Sequence, residues 1–264
     1  AAMAASEASA TRGVKWAVGS WASFIAENVL LSENREALSA ALGGEGAYRN
    51  VYGACSTACM VSLGYGYWHS LGAGRRLYGG TLPRPRNAAA FALQTAGLGL
   101  LGQLAPPFWG GSGAPDDAQH AAVRRDAAVA PAAAPEPAAA AAAPEPAPAV
   151  SGVHRITRHP SFWGLGLFCL GAALRTPYRG EAATLCGPAA VALLGGAHQD
   201  SRYRRGIGGT LSPEVDAVTS GVPFLALLQG RQSWRVLAEE LEPVNAKCAV
   251  AASTALALFA VMFP

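Results

Sequence analysis

The stretch Val153–His154–Arg155–Ile156–Thr157–Arg158–His159–Pro160 gathers two arginines and two histidines at the mouth of an apolar run. Proline favours the first helical position and pushes its predecessor out of the helical region. The spacing therefore predicts a helix from Pro160, with Arg158 and His159 at its cap. A helix start exposes unpaired N–H groups and a partial positive charge. With Arg155 and Arg158 beside it, such a start attracts an anion: a phosphate, a carboxylate or a haem propionate. The imidazole of His159, in its neutral form, can ligate a metal. The plainer alternative is an interfacial histidine beside arginines that touch lipid phosphates. His154 lies five residues earlier, so the two rings share no helix face.

Other residues offer less. His198, followed by Gln199 and Asp200, ends a later apolar segment and is the candidate second metal ligand. Glu27 and Asn28 interrupt the first apolar segment, where polar groups need a partner or a cap. His69 reads as interfacial and His120 as solvated. Cys55, Cys59, Cys169, Cys186 and Cys248 lack the paired spacing of a zinc site or a disulfide framework. Small residues at helix seams account for them. A Ser-His-Asp arrangement and a phosphate-cradling glycine loop are both missing.

The elements that would position these residues follow from composition. Of 264 residues, 51% are hydrophobic and 14% charged, against about 25% charged in a typical soluble domain. Mean hydropathy is +0.22 despite a long Ala/Pro tract. The net charge of +3 rests on arginines that flank apolar segments instead of massing on one polar face, which argues against nucleic-acid binding. These features predict an all-α polytopic membrane helix bundle of about six spans, in two halves joined by a disordered Ala/Pro spacer.

Residues 1–12 read as a flexible tail, its start left by processing of an organelle-targeted precursor. Residues 13–109 form a three-helix membrane half, with spans near Gly13–Leu31, Asn50–Leu71 and Ala88–Trp109. Residues 110–150 are the spacer, where spaced prolines favour extended chain. Residues 151–264 form the second membrane half, with spans near Pro160–Leu174, Gly180–Ala197 and Ala246–Phe263. Ser220–Gly230 is too short to cross and reads as interfacial or re-entrant. Arg231–Glu242 reads as an amphipathic surface helix.

The segment RITRHPSFWGLGLF (Arg155–Phe168), followed by TSGVPFLALLQGRQ (Thr219–Gln232), resembles the NnrU family. ENVLLSENREALSAALGGEGAYRNVYG (Glu27–Gly53) is similar to that family's first-helix exit. The resemblance implies an integral plastid membrane protein, thylakoid or inner envelope. It implies haem b held by histidines and a cis-trans isomerase of ζ-carotene or a related isoprenoid. Carried onto this chain, it makes His159 and His198 metal ligands and places Arg155, Arg158 and Asn28 at the cofactor. Asn28, Ala172, Gly195 and Gly196 stand where the family's other histidines are expected. The second reading is a non-catalytic membrane subunit or assembly factor that binds pigment, lipid or partner helices. The partners expected are therefore membrane lipid, a carotenoid and a membrane protein complex, without nucleic acid.

Overall fold

The computed structural model describes residues 2–78, 83–105 and 150–262, which are all-helical, with no strand among them. In chain order the helices are α1 (Ala2–Glu33), α2 (Arg35–Leu42), α3 (Glu45–Ser70), α4 (Arg84–Gly102), α5 (Pro160–Arg175), α6 (Arg179–Arg204), α7 (Pro213–Val218), α8 (Leu225–Leu228), α9 (Trp234–Glu240) and α10 (Pro243–Met262). A 3₁₀ turn, Gly152–Arg155, precedes α5. Residues 2–12, expected as a loose tail, are the opening turns of α1. The Ala/Pro spacer expected over 110–150 lies outside the described residues, Val150 apart.

The expected polytopic bundle of about six membrane-spanning helices is overturned. Among the described residues no helix is long and apolar enough to cross a membrane. The physical reason differs from helix to helix. The apolar helix α5 has 16 residues, about 24 Å at 1.5 Å per residue, short of a hydrocarbon core of about 30 Å. Long enough at 32 residues, α1 nevertheless carries Glu7, Arg12, Lys15, Glu27 and Glu33. At 26 residues, α6 carries Glu181, Asp200, Arg202 and Arg204. Alanine and glycine raised the apolar tally without supplying the continuous bulk that lipid solvation requires.

Those small residues serve contacts between helices instead. A Cβ on Gly66 would stand 2.1 Å from the Trp16 ring, and one on Gly187 1.9 Å from the Trp21 ring. Gly97 and Gly164 bring the backbones of α4 and α5 together, with Gly171 against Gln94 and Ala90 further along. These contacts make α4 and α5 antiparallel. Ion pairs Glu7–Arg179 and Glu33–Arg205 at opposite ends of α1 and α6 set those two parallel. Thus α1 packs on α3 and α6, α6 on α5, α5 on α4 and α4 on α10. The stack thus runs α3, α1, α6, α5, α4, α10, so helices from before and after residues 106–149 are interleaved.

At one pole lie the start of α5 and the end of α6. There Leu100, Val153, Ile156, Leu227 and Leu237 form a buried apolar cluster, with Trp163, Leu167, Phe224 and Leu241 packed against it. The segment expected to be interfacial or re-entrant, 220–230, buries Ser220, Ala226 and Leu227 and exposes Val222 and Leu228. At the other pole lie the starts of α1, α4 and α6 and the end of α5.

Candidate functional site

His159 sits at the cap of α5, as the spacing predicts, with Pro160 opening the helix. Its ring does not face outward. It is buried, and its Nε2 meets Asp200 Oδ1 at 2.8 Å. The Arg158 guanidinium lies on the same carboxylate, with Nη2 donating to Asp200 Oδ2 at 2.5 Å and Nε to Oδ2 at 3.1 Å. Arg158 Nη1 donates to Asp216 Oδ1 and to Thr219 Oγ1, both at 3.0 Å. Arg204 closes the network from the far side of Asp216, its Nε 2.6 Å from Oδ2. Burial pushes the Asp200 carboxyl up. Hydrogen bonds from His159 and Arg158, with their charge, outweigh that and hold it below the usual carboxylate range. The Asp216 carboxyl is held low, chiefly by its hydrogen bond from Arg204.

This network fastens residues 157–163 to the loop 219–224. The backbone N–H of Arg158 donates to Ser220 O at 2.9 Å, and Thr157 Oγ1 donates to Gly221 O at 2.8 Å. Trp163 Nε1 donates to that same carbonyl at 2.7 Å. The Phe224 N–H reaches Ile156 O at 2.9 Å. Arg155 makes a second fastening: Nε and Nη2 grip both oxygens of Glu240 at 2.7 Å, and Nη1 donates to Gln232 Oε1 at 2.6 Å. The arginines expected to receive an anion are thus already paired with the protein's own carboxylates.

The other expected ligands lie elsewhere. His198 and Asp200 are two residues apart on α6, roughly 200° around the helix, so they look to opposite sides. The Nε2 of His198 turns to α1, 3.0 Å from Ser32 Oγ and 3.9 Å from the Glu33 carboxylate. Asn28 faces α3, taking the Tyr52 hydroxyl proton on Oδ1 and donating Nδ2 to Glu27 Oε1 at 2.9 Å. His159, His198 and Asn28 are therefore not brought together. The space beside His159 is also filled. A Cβ on Gly196 would be 2.9 Å from His159 Cδ2, and one on Gly221 2.9 Å from Asp200 Oδ2. The Phe162 ring stacks on the imidazole with centroids 5.8 Å apart. Nε2 is spent on Asp200, and no macrocycle fits between rings and glycines packed this closely. These residues do not fit a haem held by His159 and His198.

Sequence reasoning missed Asp200, Asp216 and Glu240, the carboxylates that complete both fastenings. One signal was available for the first. An aspartate followed within four residues by Arg202 and Arg204 needs a cationic partner or an exposed face, and the helix runs on past the expected end at Ala197 to include all three.

An open cavity of about 350 Å³ adjoins the loop that these networks hold. Its walls are Ala96 and Leu100 of α4, Ile156, Phe224, and Trp234 and Leu237 of α9. Gln103, its polar lining residue, is satisfied by the backbone of Glu242 in both directions, at 2.9 and 2.8 Å. Phe224 and Trp234 stack at 6.1 Å and 12° to form one face. Phe224 is the sole non-glycine residue with positive φ, +62°, among the described residues. Such a conformation costs about 1–3 kcal/mol and persists where the surroundings enforce it, commonly at ligand sites. Here the enforcing contacts are the Ile156 carbonyl and the clamped loop. No protein-family model matches this chain, and neither a curated protein nor a solved structure does.

Proposed function

We propose that this chain is a binding protein for an apolar, isoprenoid-type molecule, which it holds in the cavity between α4 and α9, and that it does so without haem. The observation that carries this reading is the cavity's chemistry: a volume at the low end of small-molecule sites, walls almost wholly apolar, and a stacked aromatic face. The strained Phe224 backbone supports it, since the protein sustains an unfavourable conformation to present that ring. The likeness of Arg155–Phe168 and Thr219–Gln232 to NnrU proteins supports the same ligand class. In this reading Arg158, His159 and Asp200 touch no ligand and hold the cavity wall in place.

The test is titration with all-trans-retinol, an isoprenoid whose own emission reports an apolar surrounding. Saturable binding is expected, weakened at least ten-fold by Ala96→Phe or Ala238→Trp, which fill the cavity, with melting temperature little changed. Added haem b should give no six-coordinate spectrum that depends on His159. Retinol affinity untouched by the filling variants would refute the cavity, and a Soret spectrum lost in His159→Ala would refute the haem-free reading.

A further inference from the structure

Away from both networks, the antiparallel helices α1 and α3 enclose a second cavity, of about 310 Å³. Ser9, Arg12 and Trp16 line it from α1, at steps of three and four residues that share one helix face. Tyr65 and His69 line it from α3, four residues apart and likewise on one face. Beneath these side chains the two backbones close together. A Cβ on Gly13 would stand 2.4 Å from the Ser70 Cβ, and one on Gly66 would enter the Trp16 ring. Both glycines line the cavity, so part of its wall is main chain.

The rings around the cavity are ordered. Trp16 Nε1 donates to Ser62 O at 2.7 Å, which fixes the indole. Centroids of Trp16 and Tyr65 lie 5.4 Å apart and those of Tyr65 and His69 4.3 Å apart, so the three rings form a row. The row is open to solvent, with Trp16 43% and Tyr65 56% exposed. Its polar neighbours are uncommitted. Among the described residues the Arg12 guanidinium makes no hydrogen bond or ion pair. The Tyr65 hydroxyl and the His69 ring nitrogens likewise have no hydrogen-bond partner among them. Lys15 stands three residues beyond Arg12 on α1 and adds a second positive charge. The nearest carboxylate along α1, Glu7, lies roughly 140° around the helix from Arg12. It is engaged there, pairing with Arg179 and taking the Arg75 backbone N–H at 3.0 Å.

We propose that this cavity binds a small planar aromatic carboxylate, its ring against the Trp16–Tyr65–His69 row and its carboxylate on Arg12. A guanidinium and a carboxylate pair through two parallel hydrogen bonds, and Arg12 is free to make both. Aromatic faces and edges attract a further ring in offset or edge-on contact. Each competing ligand class leaves part of the site unused. A neutral aromatic gives Arg12 no acceptor, an aliphatic acid gives the row no ring, and an organic cation meets Arg12 and Lys15 as like charges. The volume lies at the low end of small-molecule sites, which suits one or two fused rings. The site shares no residue with the apolar cavity between α4 and α9 and does not depend on it.

The full chain is titrated by calorimetry at low ionic strength with 2-naphthoate. The neutral 2-naphthalenemethanol and the cationic benzyltrimethylammonium serve as counterparts. Saturable naphthoate binding is expected, at least ten-fold tighter than that of either counterpart. Arg12→Gln and Tyr65→Ala should each weaken it at least ten-fold. Ala238→Trp, which fills the cavity between α4 and α9, should leave it unchanged. Arg12 and Tyr65 are both exposed, so their variants should melt within about 2 °C of wild type. Arg12→Gln should also erase the preference for naphthoate over the alcohol, which a general loosening of the fold would not do. Absence of saturable naphthoate binding overturns the proposal. So does wild-type binding in both Arg12→Gln and Tyr65→Ala, or a ten-fold loss in Ala238→Trp. Tighter binding of benzyltrimethylammonium overturns it too, by assigning the rings to a cation.

Discussion

Replacing Asp200 with Asn tests whether the ionic network holds the cavity wall. In the native fold the side chains of Arg158, Asp200 and His159 expose 13%, 8% and 6% of their surface. Removing the carboxylate leaves a guanidinium largely out of water. Breaking one partner of a buried pair costs about 3–5 kcal/mol. Asn keeps one carbonyl acceptor and Asp216 still faces Arg158, so the low end, about 3 kcal/mol, is expected. A chain of this size loses roughly 2–4 °C of melting temperature per kcal/mol, giving a fall of about 6–12 °C. Urea and thermal unfolding measure it directly. The double variant Arg158→Met/Asp200→Leu removes both charges. It should be more stable than the two single changes summed by at least about 1 kcal/mol. The pH dependence has a defined sign. The folded Asp200 carboxyl titrates below its unfolded value of about 3.9. Its contribution is therefore complete above pH 4 and fades as pH falls through the lowered folded value, a loss absent from Asp200→Asn. An Asp200→Asn variant within about 1 kcal/mol of wild type, or single changes that simply add, would refute the reasoning.

Three further outcomes follow from the packing and charges described. Gly187→Ala would drive a methyl into the Trp21 ring and should cost about 1–3 kcal/mol with a shift in tryptophan emission. Gly53→Ala, in the exposed middle of α3 with nothing within 4 Å, should instead stabilise by about 0.5–1 kcal/mol. Burial and the charges of Arg202 and Arg205 outweigh Glu33 and hold His198 below the ordinary histidine value. The unfolded chain takes that proton near pH 6.5, so stability should fall as pH drops below about 6.5. Denaturation midpoints at pH 7.5 and 5.5 should show this fall in wild type and a smaller one in His198→Gln.

Helix positions were legible because proline, glycine and polar clusters interrupt the apolar runs close to where the helices end. Pro160 opens α5, and Arg175–Thr176–Pro177 ends it. The start of α5 was legible for the same reason, down to His159 at the cap. The environment of the helices was not legible. Glycine and alanine count as apolar whether they face lipid or a neighbouring backbone, and only the fold tells that Gly66, Gly97 and Gly187 are spent on Trp16, α5 and Trp21. The partners of the two arginines were hidden by distance along the chain. Asp200 lies 42 residues from Arg158, and Glu240 lies 85 from Arg155. Local reasoning therefore assigned an outside anion to charges that the fold neutralises internally. Gly196 was read as a lost histidine, although its missing side chain is what admits the His159 ring.

The interleaving of early and late helices in the stack has a consequence for how the molecule could be taken apart. Cleavage anywhere in 106–149 would cut no helix–helix contact described above, since α1 grips α6 and α4 grips both α5 and α10. Two separately expressed fragments would each expose the glycine-lined seams that the other fills. They would recognise one another as halves of a single solid, a natural starting point for a split reporter.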